Sequence, residues 1–510
     1  MKRLFNNTVF SGIDLFVLVM LNLLATPILI KYLGLAEYGV FVFLSVFSTY
    51  GMLSFFDFGM EGSLLNFVAR FEAAGDKERI QDSLSFSLLY YGVIGLVLGV
   101  VLALSAGLIT ARFADKAATL NLANIDRATY IMAINVVVQF LTLPLTAMLQ
   151  GLRRFVITKA TNSVLMTLQY VMLMLSAIFY QRVDIAMVVV LGITICRLAI
   201  LSFMVWFRTE YFRSMTFRLR PELFKIFFSY SSILLVSRVI GIIFNQMDKF
   251  LIWLYLAAVY LSIYDIAVRP ASLLRMLITT LNSAIIPEVA RLHEQNDIAK
   301  IKVLYINLVR YAYLLVLPLL AVLYGHMESI LTLWVWVGLG KYYPVALVLV
   351  SVHLMSPITA VASTMAVGLE MVKKVLWISI VGSVIKIVLS VLLLTWMGVI
   401  GLVTATLVAE IFMVGPYLAV MMRIVEMKAS EMFRPILVIM AVALPFGLIH
   451  GAVNYFFGHT TVIWLPTASG LALVHLAVNY RFLLQERERD YLMERLRAGW
   501  SRLIPSTENQ

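Results

Sequence analysis

The sequence predicts an all-α integral membrane protein that crosses the bilayer about fourteen times as helices. Apolar residues make up 62% of the chain and charged residues 13%, and the mean hydropathy is +0.94. Soluble globular domains carry about 25% charged residues. The apolar residues fall into continuous runs of about 20, the length an α-helix needs to cross hydrocarbon. Outer-membrane barrels instead show short alternating segments. Lysine and arginine gather in alternate connections between the runs.

In chain order the expected spans are 9–30, 38–60, 83–109, 128–150, 156–180, 185–207, 227–254, 260–286, 303–324, 344–369, 375–396, 401–422, 435–455 and 462–480. The first run is span-length and is followed by KYLGLAEYG rather than a small-residue cleavage site, so it reads as the first helix and not as a signal peptide. An even number of spans puts both termini on one side of the membrane. With that side inside, the inner segments hold 28 of the 40 lysines and arginines and the outer segments seven. This bias predicts cytoplasmic termini. It puts 70–82, 208–225 and 481–510 inside, and 111–127 and 325–343 outside. The net charge of +12 is then mostly a topology signal and an attraction to anionic headgroups. It does not point to nucleic acid, since the basic residues sit in short loops.

An internal repeat sets the domain organisation. VARFEAAGDKERI (68–80) and VARLHEQNDIAKI (289–301) share Val, Ala, Arg, Asp and Ile without a gap at an offset of 221. One copy follows span two and the other span eight, both on the inner side. A duplicated six-span unit accounts for this, and since six is even the copies run parallel. The expected divisions are an N-terminal lobe 1–207, a basic linker 208–225, a C-terminal lobe 226–422, two further spans within 423–480 and a tail 481–510. The tail carries Leu492, Leu496, Trp500 and Leu503 at helical spacing among arginines. This pattern suits a helix lying on the inner membrane surface or docking on a partner.

Enzyme motifs are lacking. There is no P-loop, HExxH or GxSxG, and GLGK at 338–341 is followed by Tyr342. The chain is therefore expected to be no enzyme, with no catalytic residues, cofactor or metal site. The one cysteine, Cys196, excludes an internal disulfide. The informative residues are ionisable groups within spans, each costing about 2.5 kcal/mol or more at the bilayer centre unless it faces protein or water. Arg238, Arg275, Lys386 and Arg197 lie near mid-depth and Arg269 somewhat nearer the outer face. Several cations at one depth suit an anionic substrate such as a pyrophosphate; the bland alternative is pairing with a carboxylate. That alternative is strongest for Arg269, because Asp265 lies four residues earlier on the same helix face. Asp265 and Asp248 are the better ion-coupling candidates among Asp14, Asp57, Glu61, Asp248, Asp265 and Glu410. Asp57 and Glu61, at the inner end of span two, read as structural. Pro270, between Arg269 and Arg275, marks span eight as cavity-lining or merely kinked.

These residues carry a family resemblance. Pro27, Leu33-Gly34, Tyr38-Gly39 and Asp57-Phe58-Gly59 within 26–78 resemble the opening of polysaccharide transporters of the multidrug/oligosaccharidyl-lipid/polysaccharide (MOP) superfamily. Asp248, Tyr264 and Pro287 before EVARLHEQND are similar to its second lobe. Spans thirteen and fourteen also suit the polysaccharide branch. The resemblance implies two six-helix lobes around a central V-shaped cavity. It also implies flipping of an undecaprenyl-pyrophosphate-linked oligosaccharide, an O-antigen, capsule or exopolysaccharide precursor, across a bacterial inner membrane. The implied partners are that glycan, membrane lipids, H+ or Na+, and a polysaccharide polymerase or glycosyltransferases. A multidrug or organic-cation antiporter of the same superfamily and a lipid II flippase remain alternatives. The antiporter calls for an acidic cavity, and here the mid-depth groups are mainly basic.

Overall fold

The computed structural model describes the chain except Met1, Tyr50, 115–119, 209–239, Ile243, Asn245, Ala284, 336–337, 458–460, Arg487, 491–492 and 494–510. The side chains of 2–16, 18–19, Arg208, 280–283 and 461–463 lie outside that description too. The linker 209–225, the start of span seven with Arg238, the side chain of Asp14 and most of the tail therefore fall outside the described residues. Among the described residues all regular structure is helical. Nine of the described helices are long and apolar enough to cross a membrane, or ten if a bent pair counts as one span.

The first unit comprises Met1–Arg269 with Trp334–Leu339 and Ser379–Thr406. It opens on α1 (Lys2–Ser45), which breaks at Gly34, φ 80° and ψ 161°, a conformation that glycine adopts without a Cβ penalty. Next come α2 (Met60–Ala74), α3 (Lys77–Leu104), α4 (Ala106–Ala114), α5 (Leu122–Gly151), α6 (Phe155–Tyr180) and α7 (Val183–Arg208). A helical run at 246–255, α8, leads through a short turn into α9 (Ala258–Ser283).

Span two differs from expectation. Its helix stops at Ser45, and a 3-10 turn at Met52–Asp57 replaces the rest. Non-helical backbone at membrane depth persists only where protein satisfies it. Here Gln139 Oε1 accepts from Thr49 N at 2.8 Å, and Met52 N returns to Val46 O at 2.8 Å. Asp57 is buried; its Oδ1 accepts Glu61 N at 3.0 Å and also the Tyr91 hydroxyl. It thus anchors the start of α2, the structural role expected of it.

The second unit comprises Pro270–Leu333, Gly340–Ile378 and Leu407–Gln510. Its elements are α10 (Ile286–Glu294), α11 (Ile298–Val335), α12 (Tyr343–Ser351), α13 (Ser356–Gly368), the ends of α14 (Val372–Met397) and α15 (Val399–Ile424), α16 (Ala429–Phe457) and α17 (Thr461–Val478). Expected span ten is a broken helix. Leu339–Leu354 and Ser356–Gly368 meet at 47°, with Pro357 in the first turn of α13, where its missing N–H costs least. The outer loop expected at 325–343 is also corrected. Helix α11 continues to Val335, because His326 and Ser329 find side-chain partners on α16 (His450 and Asn454) instead of water.

The repeat folds alike in both copies. Gly75 (φ 72°) and Asn296 (φ 52°) end the preceding helices. Asp76 then caps α3 through Arg79 N at 3.0 Å, and Asp297 caps α11 through Lys300 N at 3.1 Å. Arg79 and Lys300, matched only in charge, each pair with the capping aspartate, at 3.3 and 2.7 Å. A second correspondence was not legible in sequence. A Cβ on Gly151 would lie 2.8 Å from Val68 Cβ, and one on Gly368 3.0 Å from Val289 Cβ. Both glycines let a helix pack closely on the repeat valine, and both are followed two residues later by a residue with φ 58°, Arg153 and Glu370.

Candidate functional site

In the first unit α8 and α9 form a hairpin. Its register sets Asp248 opposite Tyr264, and Lys249 opposite Asp265. The limb of α1 beyond Gly34 lies against this hairpin so closely that a Cβ on Gly39 would sit 2.0 Å from Ala258 O. Ser262 Oγ donates to Leu35 O at 2.5 Å. Tyr38 thereby reaches Asp265.

Two charge clusters result. Arg269 donates to Asp265 Oδ2 at 2.7 Å and to the Tyr38 hydroxyl at 2.9 Å; Tyr38 in turn donates to Asp265 Oδ2 at 2.9 Å. Lys249 pairs with the other oxygen at 3.2 Å. One carboxylate thus holds two cations. In the second cluster Lys386 and Asp248 are both 3% exposed at the side chain and pair at 3.0 Å. Lys386 also donates to Phe244 O and lies 4.4 Å from the centroid of the Phe244 ring. Tyr264 donates to Asp248 Oδ2 at 2.6 Å. The structure therefore joins the expected substrate residues to the expected coupling residues, Arg269 with Asp265 and Lys386 with Asp248. Lys386 is buried among its partners.

Arg197 lies elsewhere in this unit. It lines a cavity of about 230 Å³ walled by the α1 limb, α5, α6 and α7. Gln139, Asn162, Gln169, Tyr170 and Thr194 share the lining, and among the described lining residues Arg197 is the only charged one. Asn22 Nδ2 donates to Tyr170 Oη at 2.6 Å, and Arg269 reaches Asn22 O at 3.4 Å. A hydrogen-bonded chain thus links the cavity wall to the Asp265 cluster. Arg275 belongs to the second unit, is exposed on α9 and acts electrostatically on buried His353. Glu410, buried in that unit, accepts the Thr359 hydroxyl at 2.6 Å. Arg238 lies outside the described residues. No group of three or more potential ligands among them could hold a metal ion.

Lys249 and the cavity amides did not stand out in sequence, and Tyr38 and Tyr264 stood out only through the family resemblance, not as site residues. The usable signal was the spacing of 16 in both Asp248–Tyr264 and Lys249–Asp265, which a tight helical hairpin turns into contact.

A multi-pass all-helical membrane protein of this architecture has the fold of the MOP transporters. It is similar to lipid II flippase MurJ in an inward closed conformation, with a TM-score of 0.71 at 15% identity over 94% of this chain and 100% of that one. It is also similar to an inward-facing multidrug resistance MATE family transporter, TM-score 0.63 at 15% identity over 81% and 96%. A MATE transporter of Vibrio cholerae gives 0.54 at 15% identity over 84% and 98%. Residues 6–293 match the polysaccharide biosynthesis protein family, and the chain belongs to it. Among curated proteins none matches the sequence.

Proposed function

We propose that the chain flips an undecaprenyl-pyrophosphate-linked oligosaccharide, an O-antigen, capsule or exopolysaccharide precursor, from the inner to the outer leaflet of a bacterial inner membrane. The mechanism is ion-coupled alternating access between lobes 1–207 and 226–422, with both termini cytoplasmic. The observation that carries this reading is the cavity beside α7. Its described lining pairs one guanidinium with amides and hydroxyls and includes no carboxylate. An arginine grips phosphate oxygens with two parallel N–H bonds, and amides suit sugar hydroxyls. Among the described lining residues an organic cation finds no counter-charge. Arg197 is the phosphate ligand in this account, with Arg275 and Arg238 as further cations along the path. The Arg269–Asp265 and Lys386–Asp248 clusters supply H+- or Na+-sensitive pairs that rearrange during the cycle. Polymerase and glycosyltransferases act on the same glycan on either side of the step.

The likeness to MurJ favours lipid II as a second substrate class, since lipid II carries the same pyrophosphate. Deleting the gene in its bacterium separates the two. A glycan flippase leaves surface polysaccharide missing and the lipid-linked repeat unit trapped on the cytoplasmic leaflet, with peptidoglycan synthesis intact. Arrested peptidoglycan synthesis would point to lipid II, and an unaffected surface glycan would refute the proposal.

A further inference from the structure

Helices α16 and α17 lie outside the expected pair of six-span lobes, and with α11 they bury three of the six histidines of the chain. His326, His450 and His475 are each 0% exposed. His326 Nε2 and His450 Nδ1 lie 3.2 Å apart, with the ring planes at 88°. The approach depends on Gly325, where a Cβ would sit 2.5 Å from His450 Cβ. His326 stacks on Trp464 at 5.2 Å and 19°, and His475 on Phe446 at 4.2 Å and 3°.

Packing alone does not explain these rings. His450 Nε2 and both nitrogens of His475 have no hydrogen-bond partner among the described residues, and His326 Nδ1 has none at strict geometry. Its polar neighbour is Asn454, held by Ser329 Oγ at 2.6 Å. A buried polar atom left without a partner is destabilising, whereas apolar side chains of the same shape carry no such cost. Imidazole is also the side chain that changes charge near neutral pH, and an aromatic face stabilises its cation.

The other titratable groups on these helices are turned away or distant. Glu328 of α11 packs toward Gly340, Tyr324 bonds Ser351, and Tyr455 of α16 is 79% exposed. Arg434 and Glu431 of α16 are at least 16 residues from His450, about 24 Å along a helix. Helix α17 contributes only His475, stacked on Phe446. Among the described residues of these helices, a proton arriving here thus meets imidazoles and no carboxylate.

We propose that His326 and His450 form a proton-binding site in the C-terminal helices, and that this proton is the ion exchanged during transport. The second half of the statement rests on the function proposed above. In the neutral pair one ring donates to the other. Whichever does so, one outer nitrogen, His326 Nδ1 or His450 Nε2, keeps its lone pair. The proton adds there, making one imidazolium, and its release restores the neutral pair; no other bond changes.

Two measurements on the full chain test this. In lipid nanodiscs, ¹⁵N-histidine NMR between pH 4 and 9 should show His326 and His450 titrating as one coupled step that disappears in His450→Gln. In proteoliposomes holding undecaprenyl-pyrophosphate-linked glycan, a gradient of one pH unit should shift the steady-state glycan distribution about tenfold for one proton per cycle. His326→Gln and His450→Gln should lose that shift while still equilibrating the glycan without a gradient, and this equilibration certifies that they fold. Retention of the shift in both variants overturns the proposal. So does a wild-type protein that equilibrates the glycan with no response to pH. If the wild type moves no glycan, the transport function fails instead, and the NMR titration decides the proton site alone: neutral imidazoles throughout would refute it.

Discussion

Separating Lys386 from Asp248 should destabilise the protein sharply, and removing both should not. At 3.0 Å and an effective dielectric constant of 20, the pair attracts by about 5.5 kcal/mol. Withdrawing each ion from water costs several kcal/mol, so the intact pair is close to balance. Among the described residues, Lys386→Met leaves buried Asp248 with only the Tyr264 hydroxyl, and Asp248→Leu leaves an ammonium against Phe244 O and its ring. Each single variant should cost about 3–5 kcal/mol, a loss of 100-fold or more in the ratio of folded to unfolded protein. The double variant replaces two buried ions with apolar side chains and should be close to wild type. Thermal denaturation of the purified protein in detergent, read by size exclusion, ranks the four proteins. The expected order is wild type and double variant together, with both singles well below. Single variants as stable as wild type, or a double variant as unstable as the sum of the singles, would refute the pairing argument.

Other expectations follow from particular contacts. Gly151→Ala forces a Cβ to 2.8 Å from Val68 Cβ and 2.9 Å from Leu65 O. It should cost about 1–3 kcal/mol, whereas Gly447→Ala, with nothing within 4 Å, should gain about 1 kcal/mol from helix propensity; the same thermal assay ranks both. Glu488, beyond the last span, meets Arg310 and takes the Tyr311 hydroxyl at 2.5 Å. Burial opposes its ionisation, but the Tyr311 hydroxyl, the Gln485 N–H and the Arg310 guanidinium outweigh it and hold the carboxyl below its ordinary value. A depressed carboxyl contributes stability above the unfolded value of about 4.3 and loses it as pH falls through the folded one. Its contribution should therefore be flat from pH 5 to 8 and fade in acid, and Glu488→Gln should flatten that acid limb of the thermal-stability profile. With Cys196 replaced, single cysteines in 70–82, 208–225 and 481–510 should resist an impermeant thiol reagent in intact cells, and those in 111–127 should react. Labelling of 208–225 from outside would overturn the proposed topology.

The fold class was legible because apolar runs of span length have few other uses. Breaks within spans were not legible. The helix ends at Ser45 because Gln139, 90 residues away, accepts from Thr49 N, and hydropathy does not register such a partner. His326, Glu328 and Ser329 read as loop because they are polar, yet His326 and Ser329 are satisfied on α16. The Arg269–Asp265 pair was legible because its spacing of four residues is local geometry. Lys386–Asp248 was not, since the partners are 138 residues apart. Depth along a span can be read from sequence, but the direction a side chain faces cannot. That is why Lys386, expected to line a cavity, lies buried against a carboxylate, while neutral Gln139, Asn162 and Gln169 line one.

Reconstitution bears most directly on the central claim. Purified protein in liposomes would be given undecaprenyl-pyrophosphate-linked oligosaccharide in one arm and a lipophilic fluorescent cation in the other. Translocation would be read per folded molecule for wild type and for Arg197→Gln. The account predicts glycan movement to the opposite leaflet, a fall of at least tenfold in Arg197→Gln at unchanged folded yield, and no cation transport by either protein. Cation transport without glycan movement, or full glycan movement by Arg197→Gln, would contradict it.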